Sequence, residues 1–167
     1  NQLLVLGILK NSKGVTMQKI ILGLVAFLPV IANAVPNHWT SNFAQGYIDY
    51  VLINSKNQRL IVTCDAGATD LGNDHSVSYE PNWKKSKDYS STDSDLSFLF
   101  DGKISAEVPQ VLGTRIGDNN WYEFKEGIAK SKKIDVYISN KKVATFTPSV
   151  ASINQIGKKI ADCEANN

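Results

Sequence analysis

The fold is decided by the stretch Arg59-Leu60-Ile61-Val62-Thr63-Cys64, the most apolar short run outside the N-terminus. Its β-branched centre is typical of a strand, and alternation places Leu60, Val62 and Cys64 on one face. The only other cysteine, Cys163, lies near the chain end on a predicted helix. A bond between the two would close nearly the whole predicted domain into one loop.

The N-terminal region is typical of a secretory signal peptide. Met17 is the only methionine, so residues 1–16 are interpreted as sequence upstream of the initiator. Residues 17–34 contain one lysine, a short apolar run and the ending Ala32-Asn33-Ala34. The run is shorter than the roughly 20 apolar residues that span a bilayer. We therefore expect cleavage after this ending, a single globular domain over residues 35–167, and no stable membrane insertion after cleavage.

The predicted mature domain is close to neutral. Lys10, Lys13 and Lys19 precede it, so 15 of the 18 basic residues remain, against 16 acidic residues. This balance gives no electrostatic basis for binding nucleic acid or an anionic membrane. An exported chain meets an oxidising compartment, where two cysteines are expected to pair. We predict a Cys64–Cys163 disulfide in a periplasmic or secreted protein; two free, buried thiols are the alternative.

Alternating apolar residues predict an antiparallel sheet of about six to eight strands. Residues 35–45 are expected to form an extended arm or a first strand, and residues 82–95, the most polar segment, a mobile loop. Asp101-Gly102 predicts a hairpin turn of two or more residues. The remaining predicted strands are Tyr47–Ile53, Arg59–Cys64, Ser76–Tyr79 (stopped by Pro81), Leu96–Phe100, Lys103–Val108, Ile134–Ile138 and Val143–Thr147.

Two segments have helical periodicity. The first is Trp121–Lys130, whose apolar residues recur at three- and four-residue steps; because it contains Gly127, two to three turns are expected. The second helix begins after Pro148-Ser149, and its predicted apolar face consists of Ile153, Ile156, Ile160 and Cys163. The fold class is α+β: an antiparallel sheet with a short middle helix, a C-terminal helix packed on one face, and one disulfide.

No catalytic set, cofactor site or metal site is predicted. Cys64 with His75 as base would make a nucleophile, but a disulfide removes the thiolate that this chemistry needs. Both histidines, His38 and His75, are expected in exposed loops. The aspartates between Asp65 and Asp74 could surround a hard cation, although solvated turn aspartates are the simpler interpretation.

One segment is a candidate partner-binding site. Trp83 lies in the polar loop and is followed by Lys84, Lys85 and Lys87. An exposed tryptophan among lysines can anchor a protein partner. Two further lysine clusters, residues 130–133 and 141–142, are interpreted as charged turns beside strands.

The order of these elements resembles small exported proteins of Gram-negative bacteria grouped as the invasion-associated locus B family, and the similar periplasmic accessory proteins of type VI secretion loci. The resemblance covers residues 59–163, and its fixed points are the strand ending in Cys64 and the helix ending in Cys163. It implies a non-enzymatic periplasmic or surface domain and supplies no catalytic residues. Bacterial c-type lysozyme inhibitors also pair a strand cysteine with a late one, but this chain lacks their Ser-Gly-rich inhibitory motif.

The sequence therefore predicts an exported, non-enzymatic binding or accessory protein of the bacterial cell envelope. Its expected partner is another envelope or secreted protein. The alternative is a periplasmic inhibitor or immunity protein directed against an envelope-acting hydrolase or toxin.

Overall fold

The computed structural model describes residues 35–68, 74–82, 87–92 and 95–163. Within these ranges the chain forms nine strands and two helices. In chain order they are β1 Trp39–Ala44, β2 Tyr47–Ile53, β3 Arg59–Asp65, β4 Ser76–Asn82, β5 Lys87–Ser90, β6 Leu96–Phe100, β7 Ile104–Glu107, α1 Arg115–Lys130, β8 Ile134–Ile138, β9 Lys141–Phe146 and α2 Val150–Ala161.

The strands divide into two antiparallel sheets. The first sheet has the order β1-β2-β3-β4-β5 and the second has the order β7-β6-β8-β9. The α+β class with a middle helix, a C-terminal helix and one disulfide is confirmed, whereas one sheet had been expected. The apolar faces of both sheets contribute to one core, and Tyr79 meets Phe146 edge to face between them at a centroid distance of 6.4 Å. Two sheets that share one core bury apolar side chains that a single sheet would leave exposed.

The apolar stretch Arg59–Cys64 lies in β3, the central strand of the first sheet. β3 pairs with β2 on one side and β4 on the other, with Leu60 opposite both Leu52 and Tyr79. Leu60, Val62 and Cys64 are all buried on one face, as predicted.

The turn at Asp101 is longer than two residues. Phe100 pairs with Ile104, so three residues connect β6 to β7. Asp101 and Gly102 both have positive φ, 51° and 70°, and the Asp101 carboxylate accepts the backbone N–H of Lys133 at 2.8 Å. In this register Phe98 and Phe100 are both buried in the core. The length of the turn, which the sequence left open, is therefore three residues.

α1 begins at Arg115, six residues before the predicted start. Thr114 caps it by accepting the N–H of Gly117 at 3.1 Å, and Asp118 accepts the N–H of Gly113 at 2.9 Å. Gly127 lies inside this helix because a Cβ there would collide with the ring of Phe100. Close packing on β6, and not a weak helix, explains this glycine.

α2 begins after the cap residue Ser149 and packs on α1 and β1. Ile156 and Ile160 are buried, as the periodicity predicts. Gly157 lets the two helices approach, since a Cβ at this position would collide with the carbonyl oxygen of Ala129.

The polar segment 82–95 is not entirely a loop. It contains β5, which pairs with β4 at the outer side of the first sheet. β4 continues through Pro81 to Asn82, because the proline lies in a register irregularity where no ladder N–H is needed.

Candidate functional site

The disulfide joins β3 to Cys163, which lies two residues beyond the end of α2, so the prediction that Cys163 lies on the helix is wrong. Cys64 and Cys163 are bonded with their Cα atoms 5.8 Å apart, and both are buried. This confirms the predicted pair. The indole N–H of Trp121 donates to the carbonyl oxygen of Cys163 at 2.9 Å, so α1 is held at the same corner.

His75 lies beside this disulfide and is buried, so the prediction of an exposed loop residue is wrong. Its Nδ1 accepts the backbone N–H of Asp65 at 2.8 Å, which places the ring proton on Nε2 in the neutral form. The ring stacks on Trp121 with centroids 5.1 Å apart, and Nδ1 lies 3.7 Å from Sγ of Cys163. A polar ring is stable here because its acceptor is satisfied and its faces are covered.

The arrangement of histidine and sulfur does not form a nucleophile and base. Both sulfur atoms are in the disulfide, so no thiolate is present to be activated. The other histidine, His38, is half-buried in the chain before β1, 3.5 Å from the hydroxyl of Ser149.

Near this corner, the carboxylates of the described aspartates accept hydrogen bonds from backbone N–H groups and from a tyrosine hydroxyl. Asp65 accepts the N–H groups of Gly67 at 3.0 Å and Ala68 at 2.7 Å. Asp74 accepts the hydroxyl of Tyr47 at 2.6 Å, and this bond, with burial and the charges of both aspartates, raises the pKa of Tyr47 to about 12. Asp70 lies outside the described residues. Within the described ranges no group of three or more His, Cys, Asp or Glu side chains is placed to hold a metal ion.

A cleft of about 500 Å³ opens at the surface next to the disulfide. Tyr50 lies in its wall and donates to the carbonyl oxygen of Lys159 at 3.3 Å. Burial, assisted by the charge of Asp162, raises the pKa of Tyr50, so its hydroxyl remains a donor at neutral pH. The lining residues are Ile48, Tyr50, Cys64, Asp65, Ala66, Lys159, Asp162 and Cys163.

A second cleft, of about 380 Å³, lies where the segment after β7 meets the first turn of α1. Two apolar side chains on its rim are exposed to an unusual degree, Val111 at 66% and Ile116 at 75%. Two carboxylates, Asp95 and Glu107, line the same cleft. We call this the α1 cleft. The sequence signal for it is Ile116, which lies out of helical phase with Trp121 and the rest of the buried face.

The predicted partner-binding segment lies mostly outside the described residues. Trp83, Lys84 and Lys85 fall in the gap between β4 and β5. Lys87 is the first residue of β5, at an outer side of the first sheet. The proposed role of these four residues stays a prediction.

The structure brings two separate lysine clusters together on one buried carboxylate. Asp135 accepts Lys142 at 2.7 Å, the hydroxyl of Thr145 at 2.7 Å and Lys133 at 3.3 Å. Burial acts to raise the pKa of Asp135, but the hydrogen bonds from Lys142, Thr145 and Lys133 outweigh it and hold the pKa below its ordinary value. These lysines therefore stabilise the outer face of the second sheet.

No helix in the described part of the chain is both long and apolar enough to cross a membrane. No solved structure matches the chain. Two proteins of Escherichia coli strain K12 are similar to it, both described as uncharacterized. YfjT is 28% identical over 89% of this chain and 96% of its own length, and YkfB is 26% identical over 79% of this chain and 85% of its own length. The YfjT family model matches residues 37–156, from the segment before β1 into α2, and the chain therefore belongs to the YfjT family.

Proposed function

We propose that this chain is an exported, non-enzymatic binding protein of the bacterial envelope. Export is supported by the Cys64–Cys163 disulfide, because such bonds persist in oxidising compartments and are rare in the cytosol. The signal-like pattern of residues 17–34 supports the same location. The resemblance to exported accessory proteins of Gram-negative bacteria agrees with it.

The observation that carries the binding role is the α1 cleft. Fully burying one isoleucine or valine side chain contributes about 1.5–3 kcal/mol, and Ile116 and Val111 both remain exposed on its rim. Ile116 is not needed for the packing of α1, because the helix already buries Trp121, Phe124 and Ile128 on its other side. A partner that covers the rim would recover this energy. The carboxylates of Asp95 and Glu107 favour a partner that places a basic side chain in the cleft.

Cysteine and histidine, two residue types that often act in catalysis, have structural roles at this corner, which also supports binding over catalysis. Cys64 is consumed by the disulfide. His75 accepts a backbone hydrogen bond and is covered by Trp121, which leaves it badly placed to move a proton to and from a substrate.

The first experiment tests export. The full chain is expressed in a Gram-negative host, the cells are fractionated, and the mass of the intact protein is measured. We expect a periplasmic or secreted protein that begins at Val35 and contains no free thiol. A protein that retains Met17 and stays in the cytosol would contradict the proposed location.

The second experiment tests the cleft. Wild type, Ile116→Asp and Val150→Asp are used as baits in envelope extracts. Val150 is a matched control, because it is 55% exposed in the first turn of α2 and aspartate is tolerated in a first turn. We expect one partner to bind wild type and Val150→Asp but not Ile116→Asp. A secretion or surface component would indicate an accessory protein, whereas a hydrolase or toxin would indicate an inhibitor; equal binding by all three baits would exclude the cleft.

A further inference from the structure

Among the described strands, β1 is an outer strand of the first sheet, and its own residues lack the charges and prolines that usually protect a sheet edge. Its sequence, Trp39-Thr40-Ser41-Asn42-Phe43-Ala44, has no charge and no proline, and every residue after Trp39 is exposed. Natural proteins place charges on open edges to prevent pairing with other chains. The other outer strands among the described residues do carry charges, namely Lys87 and Asp88 in β5, Glu107 in β7, and Lys141 and Lys142 in β9.

The register of β1 shows which of its backbone groups point outward. Gln45 and Gly46 form a two-residue hairpin turn with φ of 52° and 85°, closed by the pair Ala44–Tyr47. In such a hairpin the closing pair is hydrogen-bonded, so the alternate residues Trp39, Ser41 and Phe43 direct their N–H and C=O groups away from β2.

Among the described residues, the outward N–H of Trp39 has a hydrogen-bond partner outside β1, whereas the outward groups of Ser41 and Phe43 do not. The N–H of Trp39 donates to the hydroxyl of buried Ser152 at 2.6 Å, so α2 covers this end of the edge. No described residue outside the strand is bonded to the outward backbone groups of Ser41 or Phe43. The open part of the edge therefore has two donors and two acceptors.

We propose that two copies of this chain pair through β1, with the strands antiparallel and the two Asn42 residues opposite each other. Ser41 of each copy then faces Phe43 of the other. Each of these two pairs exchanges two hydrogen bonds, so all four outward groups of each copy are satisfied. The two five-stranded sheets become one continuous sheet across a twofold axis.

A second copy fits this edge better than its alternatives because β1 is complementary to itself. No register of this strand brings like charges together, because β1 contains no charged residue, whereas the other outer strands do. A shift by two residues in one direction would need the N–H of Trp39, which Ser152 already accepts. A shift in the other direction would need Gln45, which lies in the turn.

Side chains on this strand also favour the pair. Phe43 is 65% exposed. In the proposed register the two Phe43 rings are diagonal neighbours on one face, at about 7–8 Å between backbones, which aromatic side chains can bridge. Pairing removes both Phe43 rings from water and would therefore explain why a phenylalanine stands at this exposed position.

Cysteine cross-linking tests the register directly. The two Asn42 residues form a non-hydrogen-bonded pair with Cα atoms about 4.5 Å apart, within the range of a disulfide, about 4.4–6.8 Å. Thr40 would face Ala44, which separates the two Thr40 residues by roughly 13 Å. We expect oxidised Asn42→Cys protein, produced from the full chain, to form a covalent dimer, and Thr40→Cys to remain uncrosslinked. Equal cross-linking of both variants, or of neither, would overturn the proposal.

Analytical ultracentrifugation provides a second measurement without a new cysteine. Wild type is expected to show a concentration-dependent dimer, and Phe43→Lys a monomer with unchanged circular dichroism, because two like charges meet across the edge. Ile104→Lys is the control: Ile104 is 59% exposed on β7, an outer strand of the other sheet, and its variant should still dimerise. A wild type that stays monomeric up to about 1 mM, or a dimer that survives Phe43→Lys, would overturn the proposal. Either result leaves the cleft experiment unaffected.

Discussion

Replacement of Cys163 by serine is the most informative perturbation of this fold. The bond joins residues 99 positions apart, and the chain-entropy account assigns about 4.7 kcal/mol to closing a loop of roughly 100 residues. Measured losses in small exported domains are about 2–5 kcal/mol. At about 4 °C per kcal/mol for a domain of this size, we expect Cys163→Ser to lower Tm by roughly 10 °C or more.

The assay is thermal unfolding followed by circular dichroism, with Trp121 fluorescence as a local probe. Trp121 donates to the carbonyl of Cys163, so release of this corner should change its emission before the sheets unfold. Cys64→Ser and the double variant should have the same Tm as Cys163→Ser, because each removes the same single bond. Wild type in reductant should behave like the three variants.

Two results would refute this reasoning. Thiol titration of denatured, non-reduced protein could find two free thiols, which would mean that the bond does not form in the exported chain. Alternatively, the variants could unfold within about 2 °C of wild type, well below the expected loss; the loop would then be closed in the unfolded state by other contacts.

Three other substitutions test individual contacts. Gly157→Ala places a methyl group against the carbonyl oxygen of Ala129 and should cost about 1–3 kcal/mol in urea unfolding. Asp135→Asn removes a carboxylate whose folded pKa is low; this stabilisation is present above about pH 4 and disappears as pH falls through the folded pKa, so the Tm difference from wild type should shrink in acid. His75→Ala uncovers Trp121 and leaves a buried N–H unsatisfied, which should cost about 1–3 kcal/mol without changing partner binding.

Matched variants separate these effects from general damage. Asn154→Ala introduces the same residue type on the exposed side of α2 and should not destabilise, because alanine favours a helix more than asparagine does. Asp88→Asn removes an exposed carboxylate and should leave Tm close to that of wild type. His75→Phe keeps the stacked ring and should recover part of the loss. If Gly157→Ala matched Asn154→Ala, or if the Asp135→Asn difference were constant between about pH 3 and pH 7, the corresponding contact would not contribute as described.

Much of the secondary structure could be predicted because it depends on local patterns. Runs of apolar, β-branched and aromatic residues identified β2, β3 and β6, alternation identified β8, and the three- and four-residue steps of Ile156 and Ile160 identified α2. The disulfide could be predicted from chemistry, since the chain has only two cysteines and an exported protein meets an oxidising compartment. α1 was predicted too short because Ile116, the only large apolar residue of the helix before Trp121, lies out of phase with the buried face, and Thr114 and Asp118 hold the first turn by hydrogen bonds.

Long-range features could not be read from the sequence. Whether Gly127 weakens a helix or admits the ring of Phe100 depends on which strand lies beneath it. His75 follows a polar loop, a pattern that predicts exposure. It directly precedes β4, however, and its ring stacks on Trp121, which lies 46 positions later in the chain. The α1 cleft likewise requires residues from β6, β7 and α1 to meet.

The sequence by itself determined most of the strands, the existence of both helices, their main apolar faces and the cysteine pair, because alternation, periodicity and composition act over a few residues. Only the tertiary structure decided that the strands form two sheets, that His75 is buried, and that no described residue covers the edge of β1 beyond Trp39 or the rim of the α1 cleft. The physical reason is that burial depends on neighbours distant in the chain. The same β1 sequence would have no free backbone groups to pair with a second copy if another strand of this chain lay beside it.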